Sequence, residues 1–405
     1  MSRLCFCPAT SGGYGIVHVG ADIPESQILM VSSNACGRHI SISSVDAGYF
    51  DRISFYVMDE SEVILGDFEE SVIEASKRIV EDTHPRILLI YVCCSTYMAG
   101  LDNDRLRRHV AEGIPGTVVQ VIDMNPVAAG TKHSPAVNTQ RKVYELLDLG
   151  IEGTDSVNLI GSDTAPREGS EIYCFLENEG YKLRHLTLCR DYDDFLQMGS
   201  ARLNIVTAAK GLQACRDMSS DIPFIRFLPS YSVKEVSEQY GVLARELDIG
   251  ICCDDHIDRV METIRRTVSK VGGLKIAVGS SATERPFHLA RCLKEYGFNV
   301  VSVYHSGTDP EREDRSWLEA NIDGFQSFDC SGPAMSGRIG KCSEADLAVG
   351  FNAGYFTNAK YITKNTADRG NLGFAGIESM MNEMTEAIDN PRDLKDIVTE
   401  ANLVL

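Results

Sequence analysis

RILLIYVCCSTYMAGLD, residues 86–102, carries an unbroken apolar run from Ile87 that stops at two adjacent cysteines, Cys93 and Cys94. The run is rich in branched side chains and does not alternate with polar residues, which predicts a strand over Ile87–Cys94 covered on both faces. The polar stretch from Ser95 to Asp104 reads as a turn, and the LRRHV that follows has helical spacing. In open α/β sheets ligands lie beyond the carboxyl ends of the strands, so chemistry is to be sought at Cys93 and Cys94. A cysteine also packs well as a small apolar residue, so the pair alone does not make a site.

Strands and helices alternate outward from this run. Upstream, Ile28–Val31 reads as a short strand ending just before Cys36 and Gly37, ISFYVM (53–58) as a second strand, and Glu69–Val80 as a helix closed by His84 and Pro85. Downstream come a helix near 104–112, the strand TVVQVIDM at 117–124 and a helix from about Ala136 to Leu149. A second round brings VNLIGS (157–162), KLRHLTL (182–188), RLNIVTA (202–208) and PFIRFL (223–228), with helices between them. The helical stretches Val233–Leu247 and Asp254–Val271 lead to a third round, LKIAVGS (274–280), NVVSVYHS (299–306), DLAVGF (346–351) and AKYIT (359–363). This alternation predicts an α/β protein with three Rossmann-like domains, each a parallel sheet flanked by helices. The expected divisions are 1–153, a thiol-bearing domain, 154–271, a second domain with bridging helices, and 272–405, a third domain with C-terminal helices. Gly153 and Gly272–Gly273 punctuate them.

A chain of 405 residues is long enough for two or three cores. Its net charge of -19 disfavours nucleic acid and anionic membrane as partners. No stretch approaches the ~20 apolar residues of a membrane helix, and MSRLCFCPAT lacks a signal-peptide core, so a cytoplasmic protein is expected. In that compartment 13 cysteines, an odd number in no regular framework, read as thiols or metal ligands. The C-x-x-C spacings of structural zinc are missing, and so is the G-x-x-x-x-G-K-[ST] loop of ATP hydrolysis. Gly13 and Gly15 lack the third glycine of a dinucleotide fingerprint, His18 standing in its place. Cys174, Cys189, Cys215 and Cys292 fall within helix or strand patterns and read as core, whereas Cys252–Cys253, Cys330 and Cys342 border loops. Asp254 and Asp255 suit the opening of a helix and need no metal there.

The order of these segments resembles the nitrogenase component 1 superfamily, which includes the nitrogenase subunits, dark-operative protochlorophyllide reductase and nickel-sirohydrochlorin reductive cyclase. Cys7–Pro8 resembles the family's first cluster cysteine, Cys36 in NACG its Gly-Cys element, and Cys94 with Gly100 and Asp102 its T-C-P-x-x-x-I-G-D-D element. ESEVILGDFEESV, RLNIVTAAKGLQ, IPFIRFLPSYSVKEVSEQYGVLA and the LGFAG of 372–376 resemble further elements in the family's order. Cys93 replaces the usual Thr, and SSN stands where the family has HGP before its second cysteine.

The resemblance implies an iron–sulfur cluster, 4Fe-4S or P-cluster-like, held by Cys7, Cys36 and Cys94 at the interface of a homodimer or of a heteromer with a paralogue. Cubane clusters take cysteine thiolates from separate chain segments, and three leave one iron short of a protein ligand. Cys93, Cys5 or a residue of a partner subunit is open as the fourth. The resemblance also implies an ATP-dependent iron protein as electron donor, with ATP entering only through that partner, and an oxygen-sensitive system. In nitrogenase the active-site cofactor is anchored by a cysteine after the KLNLV element and a histidine before the late glycine motif. Ala208 and Thr363 stand there, and neither binds iron or molybdenum usefully, so a dinitrogenase carrying the iron–molybdenum cofactor is not expected. What remains is a reductase of a small unsaturated, tetrapyrrole or organosulfur substrate, with a noncatalytic scaffold or partner subunit for metallocluster assembly as the alternative. Arg38, His39, Arg285 and His288 are candidates for the substrate cavity, Arg to hold a carboxylate and His to supply a proton. A metal-free Rossmann-type ligand-binding protein is the alternative of a different class.

Overall fold

The computed structural model describes residues 6, 8, 15–46, 48–125, 133–150, 153–306, 311–364 and 368–400. Among them, every strand pairing is parallel, and the strands form three sheets flanked by helices, as the alternation predicts. The first holds β1 (Ser26–Ser32), β2 (Ile53–Val57), β3 (Ile87–Val92) and β4 (Val118–Asp123) in the order β2-β1-β3-β4. The second holds β5 (Thr154–Ile160), β6 (Lys182–Arg184), β7 (Ala201–Val206) and β8 (Phe224–Arg226) in the order β6-β5-β7-β8. The third holds β9 (Lys275–Gly279), β10 (Asn299–His305), β11 (Gln326–Asp329), β12 (Leu347–Val349) and β13 (Tyr361–Ile362) in the order β11-β10-β9-β12-β13. Contacts divide the chain into two compact units, one of 13–165 with 180–227, the other of 1–12, 166–179 and 228–405. The first two sheets belong to the former unit and the third to the latter.

In the unit of the first two sheets, β3 is buried along its whole length. Leu88, Ile90 and Val92 share a core with Phe68, Val72, Leu106 and Val110 from the helices Glu69–Thr83 and Asn103–Gly113. On the opposite face the helix Gly15–Ala21 comes so close that a Cβ on Gly20 would lie 2.4 Å from the Tyr91 hydroxyl and 2.6 Å from Leu89. Each such side chain is worth about 1.5–3 kcal/mol when fully buried, so β3 is a main anchor of its sheet.

The strand ends two residues earlier than the apolar run. Cys93 keeps extended angles, but Cys94 opens a short helix, Cys94–Met98, because the Thr96 hydroxyl turns back to the Cys93 carbonyl at 2.7 Å. The stretch read as a turn is therefore a helical turn followed by a reversal at Gly100, whose φ is +79°. Asp102 then caps Asn103–Gly113 by accepting from Arg105 N at 3.0 Å. A second shortening has a comparable cause. KLRHLTL carries only three strand residues, since His185 Nδ1 accepts from Thr187 N at 3.2 Å and bends Leu186–Leu188 into a 3-10 turn.

In the other unit the LGFAG segment opens the helix Gly373–Asp389. The buried Glu171 carboxylate accepts from Phe374 N at 2.5 Å, Ala375 N at 3.1 Å and the Tyr240 hydroxyl at 2.7 Å. Gly373 has φ +64°, and a Cβ there would stand 2.1 Å from that carboxylate. The motif is a helix start built around a buried acid from 166–179.

Candidate functional site

In each sheet there is one place where the strand order reverses direction, and ligands in open α/β sheets bind in the crevice it leaves. In the first sheet that place is between β1 and β3, paired in register up to Val31 and Val92. Both strands end there in cysteines. After Ser32 the chain turns into the helix Asn34–Asp46, placing Cys36 in its first turn, half-buried. After Val92 come Cys93, buried, and Cys94, half-buried at the first position of its helix. The sequence thus brings Cys36 and Cys94 to neighbouring loops of one crevice, although 58 residues separate them.

The two adjacent thiols differ in occupation. Cys93 Sγ lies 3.0 Å from Ser95 Oγ, which itself reaches Met58 Sδ at 3.9 Å. The Cys94 thiol is pushed above the ordinary thiol range by burial first, then by Cys93 and by Cys36, whose negative charges disfavour another. Cys36 is thus near enough to Cys94 for its charge to weigh on it. A cation between such thiols would relieve that repulsion and hold both as thiolates. Among the described residues no three Cys, His, Asp or Glu side chains converge as a metal site. Cys7 and Cys5 lie outside the described residues.

Beside these thiols the surface is apolar. The helix Glu60–Leu65, started by a capping box of Asp59 and Glu62, exposes Ile64 and Leu65 at its end. Gly66, which follows, would carry a Cβ only 3.0 Å from the Ala99 carbonyl, so this end abuts the Cys94 helix. That helix exposes Tyr97 and Met98, the latter by 79%.

The cavity candidates fall in different settings. Arg38 is exposed on the Cys36 helix, and the His39 side chain lies outside the described residues. Arg285 and His288 belong to the unit of the third sheet and are tied up in its packing. Arg285 Nη1 donates to Glu235 Oε1 at 2.8 Å, and buried His288 has Ser230 Oγ at 2.9 Å, Glu235 Oε2 at 3.3 Å and Asp314 Oδ2 at 3.7 Å. The structure does not bring these two together with the thiols into one described site.

The third sheet's reversal lies between β9 and β12, and the protein fills it itself. Asn352 Oδ1 accepts from Ser281 N at 3.2 Å, Ser281 Oγ at 2.7 Å and Ala353 N at 2.9 Å, while its Nδ2 donates to Ser280 Oγ at 3.0 Å. A Cβ on Gly279 would stand 1.9 Å from Asn352 Oδ1. At the second sheet's reversal, between β5 and β7, an ion pair of Asp163 and Lys210 appears that sequence reasoning passed over. Its only signal in the sequence was a charged residue a few positions beyond each strand.

Cysteines at the reversal of the first of three parallel sheets define an α/β protein of the nitrogenase-like oxidoreductase kind, and comparison with known proteins agrees. The model of the nitrogenase component 1 type oxidoreductase family matches residues 14–389, so the chain belongs to that family. Among solved structures it is similar to nitrogenase Cp1 at pH 6.5, with TM-score 0.77 and 16% identity over 96% of this chain and 94% of that one. Nitrogenase Cp1 at pH 5 gives TM-score 0.66 and 15% identity over 96% of this chain and 89% of that one. At such identities the likeness is one of fold. No curated protein matches the chain. Among the described residues no helix is long and apolar enough to cross a membrane.

Proposed function

We propose that this chain is the electron-accepting, substrate-reducing component of a cytoplasmic nitrogenase-like reductase. An iron–sulfur cluster at a subunit interface would be held by Cys7, Cys36 and Cys94 and would pass on single electrons received from an ATP-dependent iron protein. The observation that carries this is the meeting of Cys36 and Cys94 at the reversal point of the first sheet, with each thiol in a loop of its own. Cys93 is the wall residue, since its sulfur is engaged with Ser95. The exposed Ile64, Leu65, Tyr97 and Met98 suit a surface that a second subunit covers. The substrate is a small unsaturated, tetrapyrrole or organosulfur compound, and it is not reduced at an iron–molybdenum cofactor. Thr363 supports that exclusion: it is buried and its hydroxyl accepts from Gly350 N at 3.0 Å, so it serves the backbone.

The test is anaerobic purification with iron, sulfide and molybdenum analysis of wild type, Cys36→Ala, Cys93→Ala and Cys94→Ala. Brown protein whose iron is lost in the Cys36 and Cys94 variants and kept in the Cys93 variant is expected. Colourless wild type after reconstitution with iron and sulfide, or stoichiometric molybdenum, overturns the reading. Iron-loaded protein that passes no electrons to any substrate when mixed with an iron-protein homologue and ATP would make it a scaffold or partner subunit.

A further inference from the structure

The second sheet's reversal point has a site of its own. β5 and β7 are paired in register at Ile160 and Val206, and the loops beyond them are locked backbone to backbone. Gly161, with φ +109°, would carry a Cβ 2.7 Å from the Ala208 carbonyl, and a Cβ on Gly211 would lie 2.6 Å from Gly161 Cα. Only glycine permits both approaches. Two further bonds hold the first loop: Ser162 N donates to Thr207 Oγ1 at 3.3 Å, and buried His185 lies with Nε2 3.3 Å from the Ser162 carbonyl. Because His185 Nδ1 accepts from Thr187 N, its Nε2 carries the proton and is the donor.

This rigid frame presents two charged side chains from opposite loops. Lys210 Nζ donates to Asp163 Oδ2 at 2.5 Å, with the side chains 22% and 26% exposed. An ammonium has three protons, and Asp163 is the one partner of Lys210 among the described residues. Across the pair, Asp163 Oδ1 and the hydroxyl of its neighbour Thr164 are buried with no hydrogen-bond partner. Buried polar atoms of a native protein are rarely left so, since each costs about 1–3 kcal/mol. A structural ion pair would satisfy itself, whereas this one keeps cationic donors to spare on one side and an unfilled acceptor on the other. On a chain of net charge -19 an anion needs a placed cation to be held at all.

We propose that the crevice between the loops 161–165 and 207–211 binds a carboxylate that bears a hydrogen-bond donor on the adjacent carbon. Lys210 holds the carboxylate, Asp163 Oδ1 accepts from the adjacent hydroxyl or N–H, and Thr164 adds a hydroxyl to the same ligand. The assignment deepens the reductase reading by naming a group that its substrate carries, and rests on that reading only for calling the ligand a substrate. Binding itself involves neither the cluster nor its thiols.

Saturation-transfer NMR with L-malate and with succinate, its analogue lacking the hydroxyl, tests this on the full-length protein. Wild type is expected to bind malate saturably and about tenfold more tightly than succinate, as sites built around a hydroxyl discriminate against its absence. Lys210→Met should abolish malate binding, Lys210→Arg should keep it, and Asp163→Asn should erase the preference over succinate. Thermal unfolding of each variant identifies any that fails to fold, and Lys210→Arg, which keeps the charge, then carries the decision by retaining binding. Malate binding unchanged in Lys210→Met, or no binding of either acid by wild type, overturns the proposal. Iron analysis of the same samples separates the two ideas: Lys210-dependent binding in a protein that takes up no cluster leaves this site standing without the reductase, and a cluster-loaded protein that binds neither acid does the reverse.

Discussion

The reversal points of the first and third sheets are the same feature of the same kind of sheet, and the chain treats them oppositely. At the third, Asn352 plugs the crevice, with its amide bonded to the loop after β9 and to its own helix start. Nothing polar on that amide is left over. At the first, β1 and β3 end in thiols whose mutual influence raises the proton affinity of Cys94. The difference teaches that the fold offers a crevice wherever strand order reverses, and that side chains decide whether it is sealed for stability or held open for a ligand. Completed hydrogen bonding marks the first outcome, and accumulated unrelieved charge marks the second.

The sharpest break in the comparison is metal uptake. Cys36→Ala or Cys94→Ala should cut iron after anaerobic reconstitution by at least about tenfold, since a cluster lacking a thiolate ligand is poorly retained, while Asn352→Ala should leave iron per folded chain unchanged. Stability should run the other way. Asn352→Ala strands the Ser281 amide and hydroxyl and should cost about 2–4 kcal/mol in urea unfolding. The same cysteine variants, measured without metal, should cost less than about 1 kcal/mol, because Cys36 and Cys94 are half-exposed. Equal losses at both places would end the distinction. A smaller effect tests the turn behind Cys94. Gly100 has φ +79°, and a Cβ placed there would meet nothing within 4 Å, so Gly100→Ala carries backbone strain alone, about 1 kcal/mol.

Much of this was legible in the chain. The continuous apolar run to Val92 means a strand buried on both faces, and three rounds of alternation mean three parallel sheets, because these follow from local pattern. The shortening of the strands at 87 and 182 was not legible, since each depends on one side chain, Thr96 or His185, bonding back to nearby backbone. The helix after Cys36 was missed because NACGRHISISS has neither an apolar stripe nor an acidic first turn. Likewise, resemblance could pair Cys36 with Cys94, but only strand order puts them at one crevice. The Asp163–Lys210 pair escaped because 47 residues separate two ordinary charges, and the glycines that join their loops read as turn residues anywhere.

The finest test follows from the sign of the Cys94 shift. Burial, Cys93 and Cys36 all favour the protonated thiol, so the folded, metal-free chain holds that proton to higher pH than the unfolded chain does. Its stabilising contribution is therefore complete below the unfolded thiol pKa of about 8.5 and declines as pH rises beyond it. Iron uptake has the opposite slope, because forming thiolates releases protons and becomes easier as pH rises. Alkylation of metal-free Cys94 by iodoacetamide, followed by mass spectrometry, should accelerate with pH, and its midpoint should move down in Cys36→Ala, which removes one of the three raising influences. In Asn352→Ala, measured without urea at a temperature where the fold persists, the midpoint should stay where it is. A midpoint that ignored Cys36 would mean that the two thiols do not feel each other, and the crevice at the first sheet would lose the property that sets it apart from the third.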